Sequence, residues 1–253
     1  PIFLVLMNSF KNKLYISDAP FALPNSDTFS GMYNYVNGIQ KTGLLVAAGR
    51  SAFITICSVI VIVLLTSMAA WWITRVTCKL STVLYYLFVF AMIVPFQMVM
   101  FTLSKVTDFL HLGNMFGIIP VYLGFGAGLS LFMFCGFIKA IPISLEEAAM
   151  IDGCTPVQTY FKVIVPMLRP TMITVAILNA MWIWNDYLLP TLVLDSEKPT
   201  IPMAVQYLRG GYGSIDMGAM MAMLVLAILP IIVFYLTCQK YIIKGVAAGA
   251  VKG

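Results

Sequence analysis

Uncharged apolar runs alternate with short polar turns along this chain, and the runs have the length of membrane spans. Ser51 to Thr74 carries no charge, ends in the Trp71–Trp72 pair and is followed by Arg75 and Lys79. Aromatic rings and then cations are the usual anchors at a membrane boundary. Leu80 to Ser104 is a second uncharged run with Pro95 inside it, so a kinked span is predicted. Lys105 to His111 reads as a short polar turn. Leu112 to Ile138 spans again, and Gly117, Gly124, Gly126 and Gly128 predict close approach by neighbouring helices. Two more runs follow, Pro170 to about Leu194 and Met217 to Gln239. Pro1–Phe10 is apolar as well and reads as the end of a first membrane helix that begins before this sequence.

Two polar stretches lie between these runs. Lys11–Gly49 contains Pro20, Pro24 and several Gly, Asn and Ser. It predicts an external loop with a short interfacial helix around Phe29–Ile39, carrying Tyr33 and Tyr35 at headgroup level. Asp195–Asp216 predicts a second outer loop, with Pro199, Pro202 and the cluster Gly210-Gly211-Tyr212-Gly213.

The segment Ser144–Pro170 has a different pattern. Ser144 with Glu147 predicts a capping box, in which each side chain satisfies the other residue's backbone N–H. Leu145 to Met150 is a run of good helix formers. Gly153 then stands where a helix end needs a left-handed backbone. Thr155, Pro156 and Gln158 predict a second capped start, and Pro166 and Pro170 its far end. The expectation is a short helix, a glycine elbow and a second short helix. Ala148 and Ala149 are small enough to let another protein approach closely.

Composition agrees with a membrane protein. Of 253 residues 61% are hydrophobic and 10% charged, against roughly 25% charged in soluble domains. Mean hydropathy is +0.95. The net charge of +5 is spread out and shows no basic cluster for nucleic acid. Cys57, Cys78, Cys135, Cys154 and Cys238 form no disulfide pattern, and most of them read as packing residues. Arg75 and Lys79, together with Lys240, Lys244 and Lys252, assign the adjoining turns to the cytoplasm by the positive-inside rule. The elbow segment then faces the cytoplasm too, because two spans separate it from Arg75.

The elbow resembles the EAA loop of ABC-importer permeases. That pattern is Glu-Ala-Ala, three residues, Gly, nine residues, then Ile-x-Leu-Pro. Here it reads Glu147-Ala148-Ala149, Gly153, then Val163-Ile164-Val165-Pro166. The spacing is intact, and Val replaces both Ile and Leu. Ile141-Pro142, Ile151-Asp152-Gly153 and Trp184-Asn185-Asp186-Tyr187 resemble the carbohydrate-importer branch, and Pro95-Phe96-Gln97 is similar to the family's third-helix pattern. The ending Ala248-Gly249-Ala250-Val251-Lys252-Gly253 is similar to the tail of the maltose-type second permease subunit. Gly49-Arg50-Ser51 departs from the family, which usually has Asn-Ser before its second helix.

The resemblance implies an all-α, six-helix permease of the prokaryotic cytoplasmic membrane. The chain is then one domain, 1–253, with external loops at about 11–49 and 195–216, a cytoplasmic loop at about 139–169 and a cytoplasmic tail at about 240–253. It implies a second homologous permease, two ATPase subunits, an extracytoplasmic solute-binding protein and surrounding lipid as partners. Glu147, Ala148, Ala149, Asp152, Gly153 and Pro166 would couple to an ATPase, and Lys252 and Gly253 would add a tail contact. The chain would be a transporter subunit and not an enzyme, importing sugar by alternating access. ATP and Mg would be bound by the partners and no cofactor or metal by this chain, which has no Gly-x4-Gly-Lys-Ser/Thr phosphate loop.

Rival readings remain open. An ABC permease for a non-sugar solute would share the elbow. An ion-coupled carrier would not need it, and would show ionisable residues deeper in its spans. Asn185 and Asp186 form a polar pair near a span end, where Asp186 could meet sugar hydroxyls, carry a proton or cap a helix. His111 has only Asp108 nearby at ligand spacing, and the scattered methionines read as flexible packing.

Overall fold

The computed structural model describes residues 1–208 and 216–250, with side chains through 240. In chain order the helices are α1 (Ile2–Ser9), α2 (Lys13–Asp18), α3 (Tyr33–Thr42), α4 (Leu44–Arg75), α5 (Lys79–Ile93), α6 (Phe96–Phe109) and α7 (Ile118–Ile138). They continue as α8 (Ser144–Ile151), α9 (Pro156–Thr159), α10 (Val165–Asn185), α11 (Leu188–Val193), α12 (Ile201–Tyr207) and α13 (Met217–Ala250). The fold is all-α and membrane-embedded. Among the described residues four helices are long and apolar enough to cross a membrane: Leu44–Arg75, Ile118–Ile138, Pro156–Asn185 and Met217–Lys240.

The expected span over Leu80–Ser104 is broken. α5 and α6 meet at 106°, a much sharper bend than a proline kink inside one helix. The cause is local. Proline excludes the residue before it from helical geometry, and Val94 is extended (φ −69°, ψ 119°). Pro95 is extended as well (ψ 136°), so two consecutive residues leave the helix. α6 then runs on through Phe109, where a polar turn from Lys105 was expected, and His111 closes it with φ +54°.

The opposite happens at Pro166 and Pro170. They were expected to end a helix, yet they lie within one 30-residue helical run, Pro156–Asn185. One π-helical turn, Tyr160–Ile164, precedes Pro166 and absorbs the interruption of the hydrogen-bond ladder. In hydrocarbon the remaining backbone groups have no partner outside the helix, which favours continuation through proline.

The packing divides into two units. In the unit built from residues 54–112, 116–183 and 238–253, the core centres on Leu131, Phe134, Ile138, Tyr160, Ile164 and Leu168. Ser67 Oγ and Tyr160 OH hydrogen-bond inside it at 2.7 Å. A Cβ on Gly128 would lie 2.9 Å from the Phe88 carbonyl oxygen, so glycine allows α5 to sit directly on α7. Gly126 serves the same purpose against Ile62 and Asn179, whereas nothing crowds Gly124.

The unit built from residues 1–53, 113–115 and 184–237 contains the expected external loops. The first of them is more ordered than its polar composition suggested. Asn34 Nδ2 donates to the carbonyls of Ser9 (2.8 Å) and Lys11 (2.7 Å), and Ser9 Oγ meets Tyr35 OH at 2.7 Å. Lys11 is only 1% exposed, and its ammonium donates to the Ala19 carbonyl at 2.8 Å. The expected interfacial helix is α3, shifted a few residues C-terminally. α4 starts at Leu44, several residues before the expected Ser51, and so includes Gly49 and Arg50.

Asp216 joins α3 to the start of α13. Its carboxylate accepts from Lys41 Nζ (2.7 Å), Asn37 Nδ2 (3.0 Å) and the Ala219 backbone N–H (3.2 Å). Burial pushes this carboxyl up, but the Lys41 hydrogen bond and charge, with the Ala219 and Asn37 bonds, outweigh it and hold the carboxyl below its ordinary range. A depressed native pKa contributes stability that is present above the unfolded value and lost as pH falls through the native one. The difference in melting temperature between the native chain and Asp216→Asn should therefore be full at neutral pH and shrink below about pH 4. Thermal unfolding of the detergent-solubilised chain across pH measures it.

Candidate functional site

α8 differs from its expectation at its start. Ser144 is already the first helical residue, Ile143 precedes it, and no side chain caps the end. The Glu146 and Glu147 backbone N–H groups donate to the Ile143 carbonyl (2.9 and 3.1 Å). Ser144 thus sits one place too late for the predicted box with Glu147. Glu146 and Glu147 still place negative charge in the first turn, where the helix dipole favours it.

The elbow itself follows the sequence. Gly153 has φ +85°. The Gly153 N–H donates to the Met150 carbonyl and the Cys154 N–H to the Ala149 carbonyl, both at 3.0 Å. These two bonds form a Schellman ending. Thr155 then opens α9. Thr155 Oγ1 accepts from the Gln158 N–H (3.3 Å) and Gln158 Oε1 from the Thr155 N–H (2.9 Å), with Pro156 in the first helical position. A single left-handed glycine therefore separates two ends that both have hydrogen-bond partners.

What holds α8 in place was not visible in the sequence. Glu146 turns inward, with 3% of its side chain exposed, against Arg75 at 17%. Glu146 Oε1 accepts from Arg75 Nη2 (2.7 Å) and Nε (2.8 Å), and Oε2 accepts from Trp71 Nε1 (2.9 Å). Arg75 Nη2 also donates to the Ile141 carbonyl (2.9 Å). The last turn of α4 therefore grips both α8 and the chain entering it. Sequence reasoning had assigned Arg75 to topology and Trp71 to the membrane boundary. The usable signal was Glu146, the extra acid directly before Glu147, in a chain with ten acidic residues in all.

The expected coupling residues separate into two faces. Ala149 is buried against the core side. Glu147, Ala148, Asp152 and Gly153 are exposed, and so is Pro166 in the first turn of α10. Ile151 projects furthest, at 86% exposed, and Met150 and Val157 are exposed near it in sequence. Ala148 can thus be approached closely from outside, and Ala149 cannot.

Asn185 ends α10 and is exposed. Asp186 Oδ1 accepts from the backbone N–H groups of Leu188 (3.0 Å) and Leu189 (3.5 Å), in the first turn of α11. This is the helix-starting geometry among the three roles considered for Asp186. Lys252, Gly253 and the cluster Gly210–Gly213 lie outside the described residues.

Comparison with known proteins gives consistent matches. Residues 58–248 fit the family model described as binding-protein-dependent transport system inner membrane component. A probable starch degradation products transport system permease protein of Thermoanaerobacterium thermosulfurigenes is 39% identical over 253 residues, covering 100% of this chain and 91% of that protein. A multiple sugar-binding transport system permease protein of Streptococcus mutans is 38% identical over 257 residues, with the same coverage. A diacetylchitobiose uptake system permease protein of Streptomyces coelicolor is 29% identical, covering 98% and 82%. The fold is similar to a chain in the crystal structure of a bacterial ABC transporter involved in import of the acidic polysaccharide alginate. The TM-score there is 0.78 at 22% identity, over 95% of this chain and 89% of that one.

Removing one partner of a buried ion pair strands the other, at a cost of about 3–5 kcal/mol, whereas replacing both with apolar groups costs far less. Glu146→Ala should lower the melting temperature strongly, and Arg75→Met/Glu146→Leu should recover most of the loss. Thermal unfolding of the solubilised chain checks both. Equal losses in the two variants would contradict the pairing.

Proposed function

The chain belongs to the binding-protein-dependent inner membrane transport components, the permease subunits of ABC importers, and from this we propose that it carries a sugar inward by alternating access. The family is a membrane transport subunit and not an enzyme, and it works in general with an ATPase and a solute-binding protein. A carbohydrate substrate is supported by the names of several relatives, which specify starch degradation products, multiple sugars and diacetylchitobiose.

In this reading α8 lies at the cytoplasmic face and docks on an ATPase subunit through Glu147, Ala148 and Ile151. A second homologous permease and two ATPases complete the complex, and ATP and Mg stay on the ATPases. The supporting observation is the two-sided build of α8. One side is fixed to α4 by Glu146, Arg75 and Trp71, and the other is exposed and carries apolar Ile151. A helix clamped on one side transmits a push to the span behind it, because it has no slack in which to rotate. The pair joins α8 to the end of a 32-residue helix, so a displacement at the membrane surface is delivered along the whole span.

Gly153 sets the angle between α8 and the run beginning at Pro156. Nothing lies within 4 Å of a Cβ built there, so a side chain meets backbone strain and no clash. A left-handed backbone costs about 1–2 kcal/mol for an ordinary residue, more for a β-branched one, and less for Asn. In proteoliposomes containing the assembled transporter, Gly153→Val should cut sugar uptake severely while ATP hydrolysis continues, and Gly153→Asn should keep most coupling. Ile151→Cys should crosslink to the ATPase. Intact coupling in Gly153→Val, together with no crosslink from residue 151, would rule the reading out.

A further inference from the structure

Away from α8, a cleft of about 760 Å³ opens between the end of α4, the start of α5 and the end of α7. Its charged residues are Lys79 and Lys139, and no carboxylate lines it. Among the described residues the ion pairs are Lys41–Asp216 and Arg75–Glu146, so neither lysine of the cleft has an acidic partner. The Lys139 ammonium lies over the Tyr85 ring, 5.6 Å from its centroid. The hydroxyls of Ser81 and Thr82 are turned back onto the Cys78 carbonyl (2.9 and 3.2 Å). The Cys78 thiol and the Ser81 N–H close the α5 start on themselves. Attraction for an anion therefore comes from the two ammonium groups and not from the helix end.

The cleft continues into an apolar track. Leu80, Val83, Leu87 and Phe90 recur at helical spacing along one face of α5, and each is more than half exposed. From Leu80 to Phe90 the rise is about 15 Å, close to one leaflet of a hydrocarbon core about 30 Å thick. Trp72, next in sequence to the cleft residue Ile73, marks the boundary level.

We propose that this cleft binds an anionic phospholipid, with its phosphate between Lys79 and Lys139 and an acyl chain along the outer face of α5. A phospholipid matches both halves of the surface at once, an anionic head beside two unpaired cations and a chain of leaflet length beside the track. Basic pockets between membrane helices hold anionic headgroups for this reason. The site is independent of the docking role of α8, so its failure would leave that role untouched.

The test uses the assembled transporter in neutral detergent, titrated with mixed micelles of phosphatidylglycerol or phosphatidylcholine, with bound lipid counted by mass spectrometry. Phosphatidylglycerol should be retained about tenfold over phosphatidylcholine. Lys79→Gln/Lys139→Gln should abolish that preference, Lys79→Arg/Lys139→Arg should keep it, and Lys162→Gln, on another part of the same unit, should leave it unchanged. Millimolar inorganic phosphate should not displace the lipid. No preference in the native transporter, an unchanged preference in the Gln variant, or displacement by phosphate alone would overturn the proposal. So would a crosslink from Leu87→Cys to another subunit, which would show that protein covers the track.

Discussion

A carboxylate removed from water must be compensated, and Glu146 is the place where this chain meets that requirement most fully. Three N–H donors from two side chains of α4 surround it. Leaving an ionised carboxylate buried without partners would cost several kcal/mol. Every arrangement of α8 that separates Glu146 from Arg75 is therefore disfavoured. The orientation of a helix only eight residues long, too short to be stable by itself, is set by an interaction 71 positions back in the chain. The exposure of Ile151 and the inward turn of Ala149 follow from that one constraint.

The rest of this unit obeys a related rule, that backbone groups in hydrocarbon must find partners nearby. It explains why Pro95 and Pro166 have opposite effects. At Pro95 two extended residues divide the run into helices of about 22 and 21 Å, neither long enough to cross alone. At Pro166 a π turn takes up the missing donor and the helix continues. Close packing at Gly126 and Gly128 then brings neighbouring helices together, and a buried hydrogen bond from Asn179 Nδ2 to Ser130 Oγ (3.0 Å) adds to it between α10 and α7.

Much of this was legible in the residues. Apolar runs marked the spans, because the part of a helix that lies in hydrocarbon must be predominantly apolar. Gly153 and the Thr155–Gln158 box were legible because both act over three or four residues. Ser144 failed by a single position, since a cap depends on where the first helical turn begins. The Glu146–Arg75 pair and the Asn34–Lys11 cluster were not legible, because each joins residues far apart in sequence whose local context already had another sufficient explanation. The angle at Pro95 was hidden for a different reason. Proline signals a break, but its size depends on how many neighbouring residues leave the helix with it.

The π turn at Tyr160–Ile164 also fixes the rotational phase of everything after it. Successive helical residues advance by about 100°, and a π turn holds one residue more than the same stretch of α-helix. Tyr160 and Ile164 belong to the same core as Leu168 and Val175, so the sequence after the turn is written for the shifted phase. Deleting one residue there would restore plain α geometry at the turn. It would leave Leu168 and Val175 facing the core, because the turn absorbs its extra residue in place; winding the full sequence as plain α-helix would instead swing them away by roughly a quarter of a revolution. In that sense the irregular turn acts as the index mark from which the rest of the helix is read.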